Sequence, residues 1–134
     1  MTEEEKILSA DDILASPDML PVKVTCPEWG GVVYVRPLMS WEQGEWEQAI
    51  ADAKADDKYM PDLFRARLVV KASCTPTGAP LFTDTQIKAL SQKNAAPVHR
   101  LAAKITAISG MASDAVEQAE KNSDVAPDIS SGSN

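Results

Sequence analysis

Apolar and polar residues alternate along this chain in two rhythms, and the changes of rhythm mark its elements. Val22, Val24 and Cys26 alternate with Lys23 and Thr25, the two-residue period of a strand with one buried face. Pro27-Glu28-Trp29-Gly30-Gly31 breaks that run, and paired glycines supply the positive φ angles of a tight reversal. Val32-Val33-Tyr34-Val35 is β-branched and aromatic and reads as the return strand, ended by Pro37. A β-hairpin is therefore expected over residues 21–37. A lone hairpin is marginal in water, so this one must lie against helices.

Elsewhere the period is that of a helix. Ser9, with Asp12 three residues on, opens a short helix bracketed at its end by Pro17 and Pro21. Ser40 with Gln43 forms a capping box for a second helix, whose apolar face is Trp46, Ala49, Ile50 and Ala53; Glu42, Glu45, Asp52 and Asp56 fall off that face, in solvent. A third helix starts near Pro61 and runs through Leu63, Phe64, Leu68 and Val69, with Arg65, Arg67 and Lys71 making its exposed side basic. Residues 76–80 form a turn-rich connector, and Thr83 with Gln86 caps a fourth helix that turns Ile87 and Leu90 inward. A fifth starts near Asn94, carries Val98, Leu101, Ala102, Ile105 and Ile108 on one stripe, and stops at Gly110. A last short helix is expected from Asp114 to about Lys121, with Ser113 as its N-cap.

The expected architecture is mainly helical, an α+β fold: one N-terminal hairpin packed on a bundle of about five helices, in a single domain over residues 9–121. Residues 1–8 form a flexible acidic leader, and residues 122–134 an acidic tail too poor in apolar residues to order.

Composition sharpens the picture in three ways. The seven aromatics leave the core to aliphatic side chains. No apolar run approaches the roughly 20 residues that span a bilayer, and Met1-Thr2-Glu3-Glu4-Glu5 is acidic where a secretory signal is basic and then apolar, so a cytoplasmic protein is expected. Cys26 and Cys74 lie far apart and read as reduced thiols acting as small apolar residues. The net charge of −7 argues against nucleic acid as a partner. That charge is unevenly spread: −8 over residues 1–58, +5 over 59–109 and −4 over 110–134. Such blocks let copies of the chain, or a partner with matching patches, attract one another; equally, surface helices simply differ in charge.

Catalytic chemistry finds no foothold in this pattern. The one histidine, His99, sits in the fifth helix with neither a nucleophile nor a base beside it in sequence. Cys26, Cys74 and His99 lack metal-ligand spacing, and Gly30-Gly31 has no lysine after it to cradle a phosphate. No enzyme, metal or other cofactor is therefore expected. The candidates are for contact instead. Trp29, in the hairpin turn beside Gly30, either folds back over the sheet or stands out as an anchor. Trp41 is placed to staple the second helix to the hairpin. Arg65, Arg67 and Lys71, with Lys88, Arg100 and Lys104, either meet acidic segments or form a solvated face.

The order of the segments resembles a known family. Pro27-Glu28-Trp29-Gly30-Gly31-Val32-Val33-Tyr34-Val35-Arg36-Pro37-Leu38 is similar to the Trp-Gly hairpin and Arg-Pro-Leu stretch that open the small tail assembly chaperones of long-tailed (siphophage-type) phages and prophages. Phe64-Arg65-Ala66-Arg67-Leu68-Val69 resembles their Arg-rich helix, and Gly78-Ala79-Pro80-Leu81-Phe82-Thr83-Asp84 their connector. Ser109-Gly110 through Val116-Glu117 and Glu120-Lys121-Asn122 is similar to their closing helix. The likeness runs in order over about residues 20–122.

That resemblance implies a non-catalytic role in the host cytoplasm. The protein would bind and solubilise the tape measure protein, help recruit tail tube subunits, and be absent from the mature tail. Contact with tail tube protein would fall to a longer frameshifted product, and self-association, in a homo-oligomer or a spiral, is implied as well. Trp29, Gly30, Arg36, Trp41, Arg65, Arg67 and Lys71 would carry partner binding. The competing expectation is a small structural or head–tail connection protein of the same kind of virus, which would stay in the particle.

Overall fold

The structure, a computed structural model, describes residues 5–111. The expected last helix, the tail and the first four residues of the leader lie outside them.

The architecture is α+β, with a small antiparallel sheet laid on helices. Strands β1 (Val22–Cys26) and β2 (Gly31–Val35) form the hairpin. Their register pairs Val24 with Val33, Val22 with Val35 and Cys26 with Gly31. Directly paired residues share a face, so this register gathers Val24, Cys26 and Val35 on the core side and sends Lys23 and Thr25 outward. The reversal is not made by two glycines as expected. A 3-10 turn over Pro27–Trp29 carries the chain round, Gly30 alone takes a left-handed conformation (φ 76), and Gly31 already belongs to β2.

Four helices build the body: α2 (Ser40–Ala55), α3 (Pro61–Ala72), α4 (Ile87–Ser91) and α5 (Ala95–Ile108). The middle one is α3, which packs against the other three. It buries Phe64, Ala66, Leu68, Val69, Val70 and Ala72, and a helix apolar on most of its surface belongs inside. Trp46 fastens α2 to it, donating its indole N–H to the Phe64 carbonyl at 3.1 Å. α5 closes the body with Val98, Leu101, Ala102 and Ile105 turned inward; Asn94 caps its start and Gly110 (φ 75) follows its end, both as the sequence predicts. A 3-10 turn over Asp84–Gln86 precedes α4, and Thr83 donates its backbone N–H to Gln86 Oε1 at 2.9 Å, one half of the expected box.

Three further features depart from expectation. The first is a third strand, β3 (Ser73–Cys74), antiparallel to β2 through Tyr34–Cys74 and Val35–Ser73 pairs. Two residues carry no periodicity, so nothing in the sequence marks it. The second is the start of α2. Its N-cap is Met39, one residue earlier than read, and Glu42 rather than Gln43 reaches back to the cap N–H, at 2.8 Å. The third is Glu42 itself, expected in solvent and in fact 6% exposed. Arg36 explains it, meeting both Glu42 oxygens at 2.8 and 3.0 Å while donating to the carbonyls of Pro37 and Lys71. The helical period placed Glu42 off the apolar face correctly; it could not reveal a guanidinium arriving from the hairpin to meet it.

The first helix, α1 (Ala10–Ala15), forms with the expected Ser9–Asp12 box but buries no residue. Its large apolar side chains, Ile13 and Leu14, are both more than half exposed.

Candidate functional site

Besides Val32, Met60 and Leu81, which are also exposed, and a hollow of about 560 Å³ beside Met60, Leu63 and Ile87, three places on this surface bear on contact. One is the start of α2. Leaving the hairpin, the chain passes Leu38, whose backbone N–H is held at 2.9 Å by the Ser109 hydroxyl at the end of α5. The Arg36–Glu42 pair fixes the next turn. On this rigid base Trp41 projects with 61% of its surface exposed, and its indole N–H points at Met39 Sδ, 3.3 Å away. Met39 is itself 42% exposed. Trp41 therefore does not staple the helix to the hairpin; it stands outward on the helix's first turn.

Beside it lies a cleft of about 220 Å³ between α2, α3 and α4, lined by Leu38, Glu42, Glu45, Trp46, Arg67 and Lys71 among others. Trp41 and Glu45 are i and i+4 on α2, so the indole sits one turn from the cleft's acidic wall. Arg67 and Lys71 are i and i+4 on α3 and form the opposing basic wall. Arg67 also lies 5.8 Å over the Phe64 ring. Burial works to raise the Glu42 pKa, but the Arg36 hydrogen bonds, the Met39 N–H and the charges of Arg36 and Lys71 together leave it below its ordinary value. Glu42 is thus a fixed anion, with no proton to exchange near neutral pH.

The second place is the hairpin turn. Trp29 is half-buried and lines an open, mainly apolar groove of about 410 Å³ with Phe82, Gln86, Ala89, Leu90 and Lys93. Its ring thus folds against α4 and the connector while keeping an open edge. The turn is pinned from the other side by Arg100 of α5, which meets both Glu28 carboxylate oxygens at 2.8 and 2.7 Å. That hydrogen bonding holds the Glu28 carboxyl down to about 2.

The third is the N-terminal segment, where Ile7, Leu8, Ile13, Leu14 and Leu20 are all more than half exposed.

The seven contact residues expected from sequence are thereby sorted. Arg67 and Lys71 line one cleft and Trp29 another, while Trp41, one helical turn from Glu45, and Gly30, in the hairpin turn, line neither. Arg36 acts as an internal clamp, its side chain 16% exposed. Arg65 is half-buried and lines neither hollow, since it lies about 200° round the helix from Arg67. Sequence reasoning missed Met39, whose neighbours gave no sign of it. It missed Phe82, Ala89 and Lys93, which meet Trp29 only through tertiary packing, and it missed the apolar N-terminal segment. The alternation of Ile13-Leu14 with Asp11-Asp12 was the available signal for that segment.

Among the described residues no group of His, Cys, Asp and Glu is placed to hold a metal ion, and no helix is long and apolar enough to cross a membrane. His99 is exposed on α5, and both thiols are buried. No protein-family model, curated protein or solved structure matches the chain.

Proposed function

We propose that this protein is a tail assembly chaperone of a long-tailed phage or prophage, which binds the tape measure protein in the host cytoplasm, keeps it soluble, and is released before the tail is finished. The observation that carries the reading is Trp41. An indole that is 61% exposed, resting on an exposed methionine and beside a cleft with one acidic and one basic wall, suits a partner that is helical and amphipathic. Tryptophan supplies a large contact area with only two rotatable bonds to fix, which is why it dominates binding hot spots. Methionine adapts its shape to irregular apolar surfaces. The charged walls give register to a helix whose own charges alternate. The partner's identity comes from the order of sequence segments; the surface that would receive it comes from the geometry. Recruitment of tail tube subunits, through a longer frameshifted product, belongs to the same proposal.

The test uses aggregation of apolar helical segments of a tape measure protein, followed by light scattering. Wild-type protein should suppress the scattering. Trp41→Ala should need at least tenfold more protein for the same effect while its melting temperature stays at the wild-type value, because Trp41 is not part of the core. Equal suppression by both proteins would remove Trp41 from the binding surface. Recovery of the chain from purified, mature particles would favour the structural or head–tail connection role instead.

A further inference from the structure

The sheet ends on an open strand. Its order is β1-β2-β3, so β1 has β2 on one side and no described strand on the other. Which backbone groups face the open side follows from the register. The Arg36 N–H reaches the Ala72 carbonyl at 2.9 Å and Tyr34 pairs with Cys74, so these residues of β2 and its extension turn their backbone groups toward β3. By alternation Val33 and Val35 face β1, their partners Val24 and Val22 face back, and Lys23 and Thr25 turn theirs outward. The Thr25 carbonyl agrees with this parity, since Arg100 Nη1 meets it from outside the ladder, at 3.5 Å. The N–H and C=O of Lys23 and the N–H of Thr25 find no partner among the described residues. Such a row of free donors and acceptors is a template for one more strand.

The surroundings of the edge select the strand it takes. On the outer face of the sheet, exposed Thr25 pairs with Val32, itself half exposed. A strand laid beside Thr25 turns alternate side chains to this β-branched surface, where Val, Ile or Thr packs best. Its other side chains turn to the core side, where α5 runs. There Arg100 stands at Thr25, and Lys104, exposed and one turn on, continues toward the Val22 end, because α5 finishes with Ser109 beside Leu38. Glu28 occupies Arg100, but neither Lys23 nor Lys104 pairs with a described carboxylate. A second copy of β1 would bring its own Lys23 against this basic row, and like charges oppose one another. We propose that the outer edge of β1 takes up an extended segment of another protein as a further strand of the sheet, with carboxylate side chains toward α5 alternating with β-branched ones on the outer face. Main-chain hydrogen bonds then hold the segment, and the basic row chooses it. The contact uses neither Trp41 nor the cleft beside it, so it stands independently of the proposed tape measure contact.

The experiment is an amide NMR titration of full-length protein with two short capped peptides, one alternating Glu and Val and the other alternating Lys and Val. The Glu–Val peptide should shift the Lys23 and Thr25 amides and, at saturation, slow their hydrogen exchange about tenfold or more. The Lys–Val peptide should bind at least about fivefold more weakly, since favourable exposed charge pairs become repulsive ones. Lys104→Glu, at an exposed position, should melt with wild type yet bind the Glu–Val peptide about threefold or more weakly. Thr25→Pro removes an outward N–H, which an edge strand can spare, and should abolish binding while the fold is kept. Lys23 and Thr25 amides that stay unmoved at millimolar Glu–Val peptide, equal binding of the two peptides, or undiminished binding by Lys104→Glu would each overturn the proposal.

Discussion

Arg36 is the residue whose role changes most between sequence and structure. In the linear pattern it is one residue of a motif; in the fold it ties β2, the start of α2 and the end of α3 together through Glu42 and the Lys71 carbonyl. Removing one member of a buried pair leaves the other charge without compensation, at a cost of about 3–5 kcal/mol. Arg36→Ala should therefore lower the urea midpoint sharply, while replacing both Arg36 and Glu42 by apolar residues of similar volume should restore most of the loss. If the single variant unfolds at the wild-type midpoint, the clamp is not structural. Glu28 offers a test in pH. Its folded pKa is held near 2 against an ordinary value of 4.5, so its pairing stabilises the fold above the ordinary value. That contribution is lost as pH falls from 4.5 through about 2. The midpoint difference between wild type and Glu28→Gln should be largest near neutral pH and vanish towards pH 2. A difference that does not change with pH would show that Arg100 does not stabilise the fold through this carboxylate.

At the scale of elements, what was legible was whatever had its own periodicity or cap. The alternation of Val22, Val24 and Cys26 predicts β1, and the Val98–Ile105 stripe predicts α5 with both of its ends. β3 escaped because two residues cannot show a period; it exists because the end of α3 runs beside β2, where Arg36 donates its backbone N–H to the Ala72 carbonyl at 2.9 Å. The connector then folds back over it, with Thr75 taking the Ala79 carbonyl and Leu81 the Ser73 carbonyl. The same limit applies to the candidate surfaces. Trp41 and the Arg67–Lys71 pair were found by residue type, but the groove under Trp29 needs Phe82 to Lys93, far along the chain. α1 was legible as a helix and illegible as a free one, since a capping box reports a local hydrogen bond and nothing about docking. Deleting residues 1–20 should accordingly leave the melting temperature of the body within about 1 °C of wild type, because α1 contributes no buried side chain. A drop of several degrees would mean that the segment does pack on its own body.

For the whole molecule, the arrangement is a largely aliphatic body with large apolar side chains left facing solvent, Trp41 and those of the N-terminal segment among them. Exposed apolar surface is a hazard for an isolated chain and an asset for one that binds another. Ile50, Leu68, Leu101 and Ile105 are fully buried and hold the body, so the outward residues are free to serve contact. Self-association through the acidic N-terminal block and the basic middle block, which the family resemblance implies, would depend on ionic strength, because screening acts beyond about 8–10 Å at 0.1–0.15 M salt. Self-association carried by these charge blocks should weaken as salt is raised from low to physiological, and a sedimentation profile that stays monomeric at low salt would remove it.

The central claim is that this surface binds and solubilises a long helical tail protein. Co-expression of the chain with a tape measure protein, followed by affinity capture and a count of soluble tape measure protein, tests it most directly. The expected result is tape measure protein that is soluble and co-purified with wild type, and insoluble with Trp41→Ala at equal expression. Tape measure protein that is equally insoluble with wild type present, with nothing captured, would contradict the account.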